Sequence, residues 1–150
     1  MKLSRWNCLV LVLVIPLACH EEPTTPTVEY PYVLQNVGGQ PLPAILYAST
    51  GDTTTIVTSS VTLAPAGKAT IVERIRRVQP GMTAATNDYT SLFNYRLIGD
   101  SVAFDYVVPC PINAICVAPP GGKLLGLRLT ISFGNPSYRP PFQYFRFLPD

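Results

Sequence analysis

Apolar and polar residues alternate at every second position through most of the chain after residue 30, a pattern that indicates β-strands. The clearest example is residues 123–133, where one set of alternate positions is entirely apolar: Leu125, Leu127, Leu129, Ile131 and Phe133. The residues between them are mostly polar or small. We therefore predict one strand over 123–133, with one face packed on a core.

Clusters of Gly, Pro, Asn and Asp separate further runs that are rich in Val, Ile, Thr, Tyr and Phe. Gly99-Asp100 stands between two such runs and predicts a two-residue hairpin turn. The predicted strands cover residues 32–37, 43–49, 54–63, 69–79, 88–98, 101–108, 123–133 and 141–148. Eight sequential strands predict an all-β fold, an antiparallel eight-stranded up-and-down barrel, as a single domain over residues 31–150. A β-sandwich is the alternative, and prolines at the starts of strands favour it.

The N-terminus has the layout of an export signal. Lys2 and Arg5 precede an unbroken apolar run over residues 9–15. That run is shorter than the roughly 20 residues that a membrane-spanning helix needs, and no later run approaches this length. We predict a signal peptide over residues 1–18 and a mobile tether, rich in Pro and Thr, over residues 19–30.

Leu17-Ala18-Cys19, at the end of the apolar run, resembles a bacterial lipobox. The resemblance implies cleavage after Ala18 and lipid attachment at Cys19, so that the membrane is a partner through an N-terminal lipid. His20 stands where Asp retains many lipoproteins in the inner membrane, which favours the outer membrane. An ordinary secretory signal with a coincidental cysteine is the alternative.

Charge and residue types exclude several function classes. The chain has 150 residues, with 11 basic, 9 acidic and one histidine, His20. Loss of Lys2 and Arg5 with the signal would leave equal numbers of basic and acidic residues, which argues against nucleic acid as a partner. A domain without imidazole has no Ser-His-Asp triad and no His-ligated metal. We predict no catalytic residues, no metal and no cofactor, and an enzyme would have to rely on carboxylates alone or on backbone groups.

Cys110 and Cys116 remain in the folded part. In an exported chain they predict a disulfide that closes a small loop. A metal or redox pair is the alternative, although the spacing is not CxxC. The surrounding segment, 109–122, is apolar and rich in proline. We expect it to be either a contact surface for an envelope protein or a rigid connection.

Two groups of side chains in the body of the chain have two interpretations each. Five aromatic residues are candidates to line a pocket for a small apolar ligand, or else simply fill a core: Tyr95, Phe104, Tyr106, Phe133 and Tyr144. A charge cluster forms either an anion-binding stripe or a solvated strand edge: Glu73, Arg74, Arg76 and Arg77. In a strand, Glu73 shares a face with Ile71 and Ile75.

Three segments together resemble small exported bacterial lipoproteins with a lipocalin-like, calycin-type barrel: YVLQNVGGQPLPA (32–44), YRLIGDSVAFDY (95–106) and FQYFRFL (142–148). In that group the first strand ends at a glycine turn and an aromatic last strand closes the barrel. The resemblance implies a membrane-anchored, non-catalytic binding or scaffold protein of the cell envelope, which holds a small apolar ligand. A protein-interaction factor, acting as an inhibitor or in envelope assembly through residues 109–122, is the alternative.

Overall fold

The computed structural model describes residues 31–109, 111, 117–134 and 140–148. These residues contain ten β-strands and one short 3₁₀ turn, Pro65–Gly67, but no helix that is long and apolar enough to cross a bilayer. The strands are β1 (Tyr32–Val37), β2 (Gln40–Pro41), β3 (Ala44–Ser49), β4 (Asp52–Ala64), β5 (Lys68–Val78), β6 (Ala85–Ile98), β7 (Ser101–Tyr106), β8 (Gly121–Leu125), β9 (Arg128–Ser132) and β10 (Phe142–Arg146).

Eight of these strands form a closed antiparallel barrel. Strands β4 to β10 follow one another around the ring, and β10 pairs with β1. The ring closes where β1 pairs with β4, with Tyr32 opposite Val61 and Val33 opposite Ser60. The predicted up-and-down barrel is therefore confirmed, and the β-sandwich alternative is wrong. Closure gives every strand of the ring a partner on both sides over at least part of its length.

Strand β3 lies outside this ring, although residues 43–49 are a strand as predicted. After β1 the chain turns at Gly38 and Gly39, which both have positive φ (57° and 84°), as a tight hairpin requires. Strand β2 returns along β1, and β3 then pairs with the first half of β4, where Ala44 lies opposite Ile56. These two strands, which we call the β3 excursion, thus extend the sheet beyond the barrel.

The prediction of a single strand over residues 123–133 is wrong, because these residues form a hairpin. Gly126 has a φ of 59°, and the chain reverses there so that Leu125 pairs with Arg128. Leu125 and Leu127 are therefore exposed at the turn, whereas Leu129 is fully buried. The barrel still has eight strands because this segment supplies two of them while β3 supplies none.

The middle of the barrel is filled by side chains. The largest fully buried residues are Tyr144, Phe104, Phe142, Ile56, Ile71, Leu129, Ile131, Val61 and Val102. They come from every strand of the ring except β1, β6 and β8, and those strands add neighbours such as Leu34, Phe93 and Leu124. Alternate residues of each strand point inward, so one continuous core forms along the barrel axis.

The two ends of the barrel differ. We call the end where the described chain enters the barrel at Tyr32 the proximal end; Arg146 pairs with Tyr32 there. The opposite, distal end holds Val37 of β1 and Phe142 of β10, which are paired, and Tyr106 at the end of β7. Because the strands are antiparallel, the segments that leave β7 and β9 both start at the distal end.

Candidate functional site

A cavity of about 240 Å³ opens at the distal end of the barrel. Its described lining residues come from β5, β6, β7 and the segments that flank β8 and β9: Ile71, Glu73, Ser91, Phe93, Tyr106, Val117, Ala118, Pro120, Phe133 and Gly134. Most of this lining is apolar, and Glu73 is its one charged member among the described residues. A mostly apolar lining with a few polar groups is a composition that small-molecule pockets share.

Glu73 faces the barrel interior because of the alternation in β5. Ile71, Glu73 and Ile75 point inward and are 1%, 9% and 8% exposed. On the neighbouring strand β6, Ile71 lies opposite Ser91 and Glu73 lies opposite Tyr89. Ser91 is therefore a diagonal cross-strand neighbour of Glu73 on the same face of the sheet.

Residues 117–120, which lead into β8, form one wall of the cavity. The Tyr106 hydroxyl donates a hydrogen bond to the Val117 carbonyl oxygen, at 3.1 Å. The Phe104 amide donates to the Pro120 carbonyl oxygen, at 3.3 Å, and Pro120 is buried. These two bonds hold residues 117–120 against the end of the barrel.

Aromatic rings form most of the remaining surface. Phe93 contacts Phe104 at 5.8 Å between ring centroids and Tyr106 at 5.5 Å. On the far side, Phe133 packs edge-on against Phe142 at 5.0 Å. Two rings that line the cavity, Phe93 and Phe133, thus pack against buried rings of the core.

The five aromatic residues predicted to bind a ligand do not meet in one place. Tyr106 and Phe133 line the distal cavity. Phe104 and Tyr144 are 2% and 0% exposed and belong to the filled core. Tyr95 is half-buried near the proximal end, where its hydroxyl donates to the Ala64 carbonyl oxygen at 3.1 Å. A ligand role for these residues stays a prediction, and the geometry unites only two of them.

The charge cluster on β5 divides between the two faces of the sheet. Arg74 points outward and makes a two-pronged ion pair with Asp88 of β6, at 2.7 Å and 2.9 Å. This hydrogen bond and the opposite charge raise the pKa of Arg74, and the bond with Arg74 lowers the pKa of Asp88. β5 lies between β4 and β6, so the cluster is not at a sheet edge, although Arg74, Arg76 and Arg77 are solvent-exposed; the anion-binding stripe stays a prediction.

The sequence analysis considered Glu73 only as part of the charge cluster, and it missed both Glu73 and Ser91 as residues of the cavity. The signal for Glu73 was present, since its alternation with Ile71 and Ile75 already indicated an inward side chain. Ser91 gave no such signal, because its position opposite Ile71 depends on the β5–β6 register. Cys19, Cys110 and Cys116 lie outside the described residues, so lipid attachment and the disulfide stay predictions. Within the described ranges no three His, Cys, Asp or Glu side chains cluster to hold a metal.

Comparison with known proteins finds no matching family model, no matching curated protein and no matching solved structure.

Proposed function

We propose that this protein is an exported, lipid-anchored and non-catalytic binding module of the cell envelope, and that it holds a small ligand in the distal cavity. The observation that carries the proposal is the contrast between a filled barrel middle and an open, mostly apolar end. Pockets for drug-sized ligands have volumes of roughly 300–1,000 Å³. A cavity of about 240 Å³ fits a smaller molecule.

The barrel's orientation supports a role away from the membrane. The strand that follows the proposed tether begins at Tyr32, at the proximal end. A lipid on Cys19 and a tether over residues 19–30 would therefore approach the barrel from that end. The cavity lies at the opposite end, so such an anchor would leave it accessible to solutes or partners in the envelope, with the outer membrane as the favoured site of anchoring.

The composition of the cavity supports binding rather than catalysis. Most enzymes that hydrolyse glycosidic bonds with carboxylates use a pair of them that flanks the bond. The described lining offers one carboxyl group, from Glu73, together with hydroxyl groups of Ser91 and Tyr106. These groups suit recognition of a polar head on an apolar body.

Native mass spectrometry of the full chain, extracted from its host membrane in mild detergent, tests this proposal. We expect a bound small molecule at one copy per chain. Ser91→Trp would fill the cavity and remove the adduct, whereas Leu92→Trp, at the exposed neighbouring position, would retain it. An adduct-free native protein, or an adduct that persists in folded Ser91→Trp, would contradict the proposal.

A second candidate function is contact with an envelope protein through residues 109–122. The observation that favours it is exposed apolar surface beside the loop: Val108 and Val117 are 78% and 70% exposed. A photo-crosslinker at either position should capture one discrete envelope protein in cells, whereas a crosslinker at Tyr47, on the β3 excursion, should not. Equal labelling from all three positions would argue against this candidate.

A further inference from the structure

The proximal end of the barrel exposes large apolar side chains at three neighbouring points. These points are the β6–β7 turn, the β8–β9 turn and the segment after β10, and the antiparallel order of the strands brings all three to the same end. Six residues there are between 46% and 65% exposed: Leu97, Ile98, Leu125, Leu127, Phe147 and Leu148. We call this set the proximal rim.

Backbone hydrogen bonds hold the three points of the rim side by side. The Leu124 amide donates to the Asp100 carbonyl oxygen at 2.8 Å, which joins the two turns. The Arg146 amide donates to the Leu127 carbonyl oxygen at 2.9 Å, which joins the β8–β9 turn to the end of β10. Apolar residues grouped in this way mark interaction surfaces, whereas single exposed ones are normal in soluble proteins.

The fold itself does not require these apolar side chains. Hairpin turns favour Gly, Asn, Asp and Ser for backbone reasons. Gly126, with a φ of 59°, meets that requirement in the β8–β9 turn, yet leucines stand on both sides of it. None of the six rim residues belongs to the barrel core or packs against it as a partly buried neighbour. Their apolar character therefore needs another explanation.

Basic side chains lie beside the rim. Lys68 begins β5, Arg128 begins β9, and Lys123 of β8 lies opposite Ser101, the first residue of β7; all three basic residues are exposed. In the described turns of this end the one acidic residue is Asp100. Long basic side chains lay their stems along apolar surface and extend their charge outward. Such a belt complements the anionic headgroups of a bilayer.

The path of the chain brings a membrane to the same end. Residues 1–30 precede the described part, and the chain enters the barrel at Tyr32, beside Arg146 at the proximal end. A lipid on Cys19 and a tether over residues 19–30 would keep the rim within about 40 Å of the bilayer, even fully extended. At so short a range, weak contacts are enough to hold the domain on the surface.

We infer that the proximal rim docks on the lipid bilayer, with its apolar side chains at the boundary of headgroups and acyl chains and its basic residues beside anionic headgroups. Surfaces of this kind bind through buried apolar area together with attraction to anionic lipid. The inference rests on the membrane anchor of the proposed function and goes beyond it, because it fixes the orientation of the barrel. The distal cavity then points away from the membrane.

Quenching of tryptophan fluorescence by brominated lipid tests this orientation in the full chain. Phe147→Trp places a fluorophore in the rim, and Val108→Trp places one at the distal end, where the side chain is 78% exposed. Both variants are reconstituted into vesicles of brominated phosphatidylcholine and phosphatidylglycerol, and the signal of the unmodified chain, which contains Trp6, is subtracted. We expect a blue shift and a loss of emission for Phe147→Trp, and neither change for Val108→Trp. Phosphatidylcholine alone should give a smaller loss, because it lacks anionic headgroups.

A charge in the rim should release the domain. Leu127→Asp, added to Phe147→Trp, should restore the emission, because a carboxylate is costly to move out of water. Leu92→Asp is the matched control: Leu92 is 60% exposed in the middle of β6, opposite Thr70 and away from the rim, so quenching should persist. Quenching that persists in folded Leu127→Asp would contradict docking through the rim.

The remaining outcomes separate docking from anchoring. A chain that floats with the vesicles but shows no quenching at Phe147→Trp, or equal quenching at Val108→Trp, would overturn the docking and leave the anchor standing. A chain that does not float with the vesicles would contradict both. Dimers in sedimentation that Leu127→Asp dissociates would assign the rim to a second copy of the chain and overturn the inference. The two fluorophore sites decide the matter even where Leu127→Asp fails to fold.

Discussion

The hydroxyl groups of Ser59 and Tyr144 lie 3.2 Å apart inside the barrel, although 85 residues separate them in the chain. Ser59 belongs to β4 and Tyr144 to β10, and β1 stands between these two strands in the ring. Ser59 is 4% exposed and Tyr144 is 0% exposed. The bond therefore links the strands on either side of the closure from within the core.

Loss of either hydroxyl should destabilise the barrel, because the other hydroxyl would stay buried without this hydrogen bond. Tyr144→Phe removes a partner of the buried Ser59 hydroxyl, which should lower the free energy of unfolding by about 1–3 kcal/mol. The double variant Ser59→Ala/Tyr144→Phe should cost clearly less than the sum of the two single changes, as measured by urea denaturation. Strict additivity would show that the two hydroxyls do not stabilise each other.

Because of the β8–β9 hairpin, two leucines of the same alternating apolar set differ in burial. Leu129 is 0% exposed, and Leu127, two residues earlier, is 47% exposed. Leu129→Ala should lower the free energy of unfolding by about 2–5 kcal/mol, because it leaves a cavity in the core. Leu127→Ala should change it by no more than about 0.5 kcal/mol. A similar loss of unfolding free energy in both variants would instead support a single strand over residues 123–133.

The contrast between these leucines shows how far alternation predicts the fold. Period-two patterning predicted most of the strands, since each has one apolar face, and the number of strands favoured a barrel. It failed at Gly126 because alternation continues across a two-residue turn, so that only the glycine marked the reversal. Gly99-Asp100 predicts a turn because it separates two alternating runs and Gly tolerates positive φ, and the structure confirms that hairpin.

The site was harder to predict than the fold. An inward position for Glu73 follows from its own strand, but its meeting with Tyr106 and Phe133 depends on the order of strands around the ring. The path of residues 117–120 over the barrel end depends on two hydrogen bonds between segments. Local patterns carry no information about such contacts.

Gly122 is required by a close approach of two backbones. It lies in β8 opposite Ile131, and a Cβ atom there would come too close to the Thr130 carbonyl oxygen of β9. Gly122→Ala should therefore lower the free energy of unfolding by about 1–3 kcal/mol. Gly121→Ala is the matched control, because the nearest atom to a Cβ there, its chain neighbours aside, is the Val102 carbonyl oxygen at 3.9 Å. Equal stabilities in thermal denaturation would refute the steric argument.

The Arg74–Asp88 pair predicts a pH dependence. The hydrogen bond from Arg74 lowers the pKa of Asp88 below its ordinary value of 3.8, so the pair stabilises the fold above that value. The stabilisation is lost as the pH falls through the lowered pKa. Both side chains are 53% exposed, so the effect should be small and weaken with salt.

Titration of the Asp88 carboxyl carbon by NMR measures this directly. Its midpoint should lie below 3.8 in the native chain and rise toward 3.8 in Arg74→Gln. Arg76→Gln, which removes another outward-facing arginine of the same strand, is the control and should leave the midpoint nearly unchanged. An Asp88 midpoint that does not respond to Arg74→Gln would mean that the ion pair does not persist in solution.

A crystal structure of the full chain under xenon pressure tests most directly whether the barrel is filled in the middle and open at its distal end. Xenon enters dry apolar cavities and is excluded from close-packed cores. The account predicts xenon density between Phe93 and Phe133 in the distal cavity, and none around Phe104 and Tyr144. Xenon among the central side chains, or a distal end filled by the protein's own side chains, would contradict it.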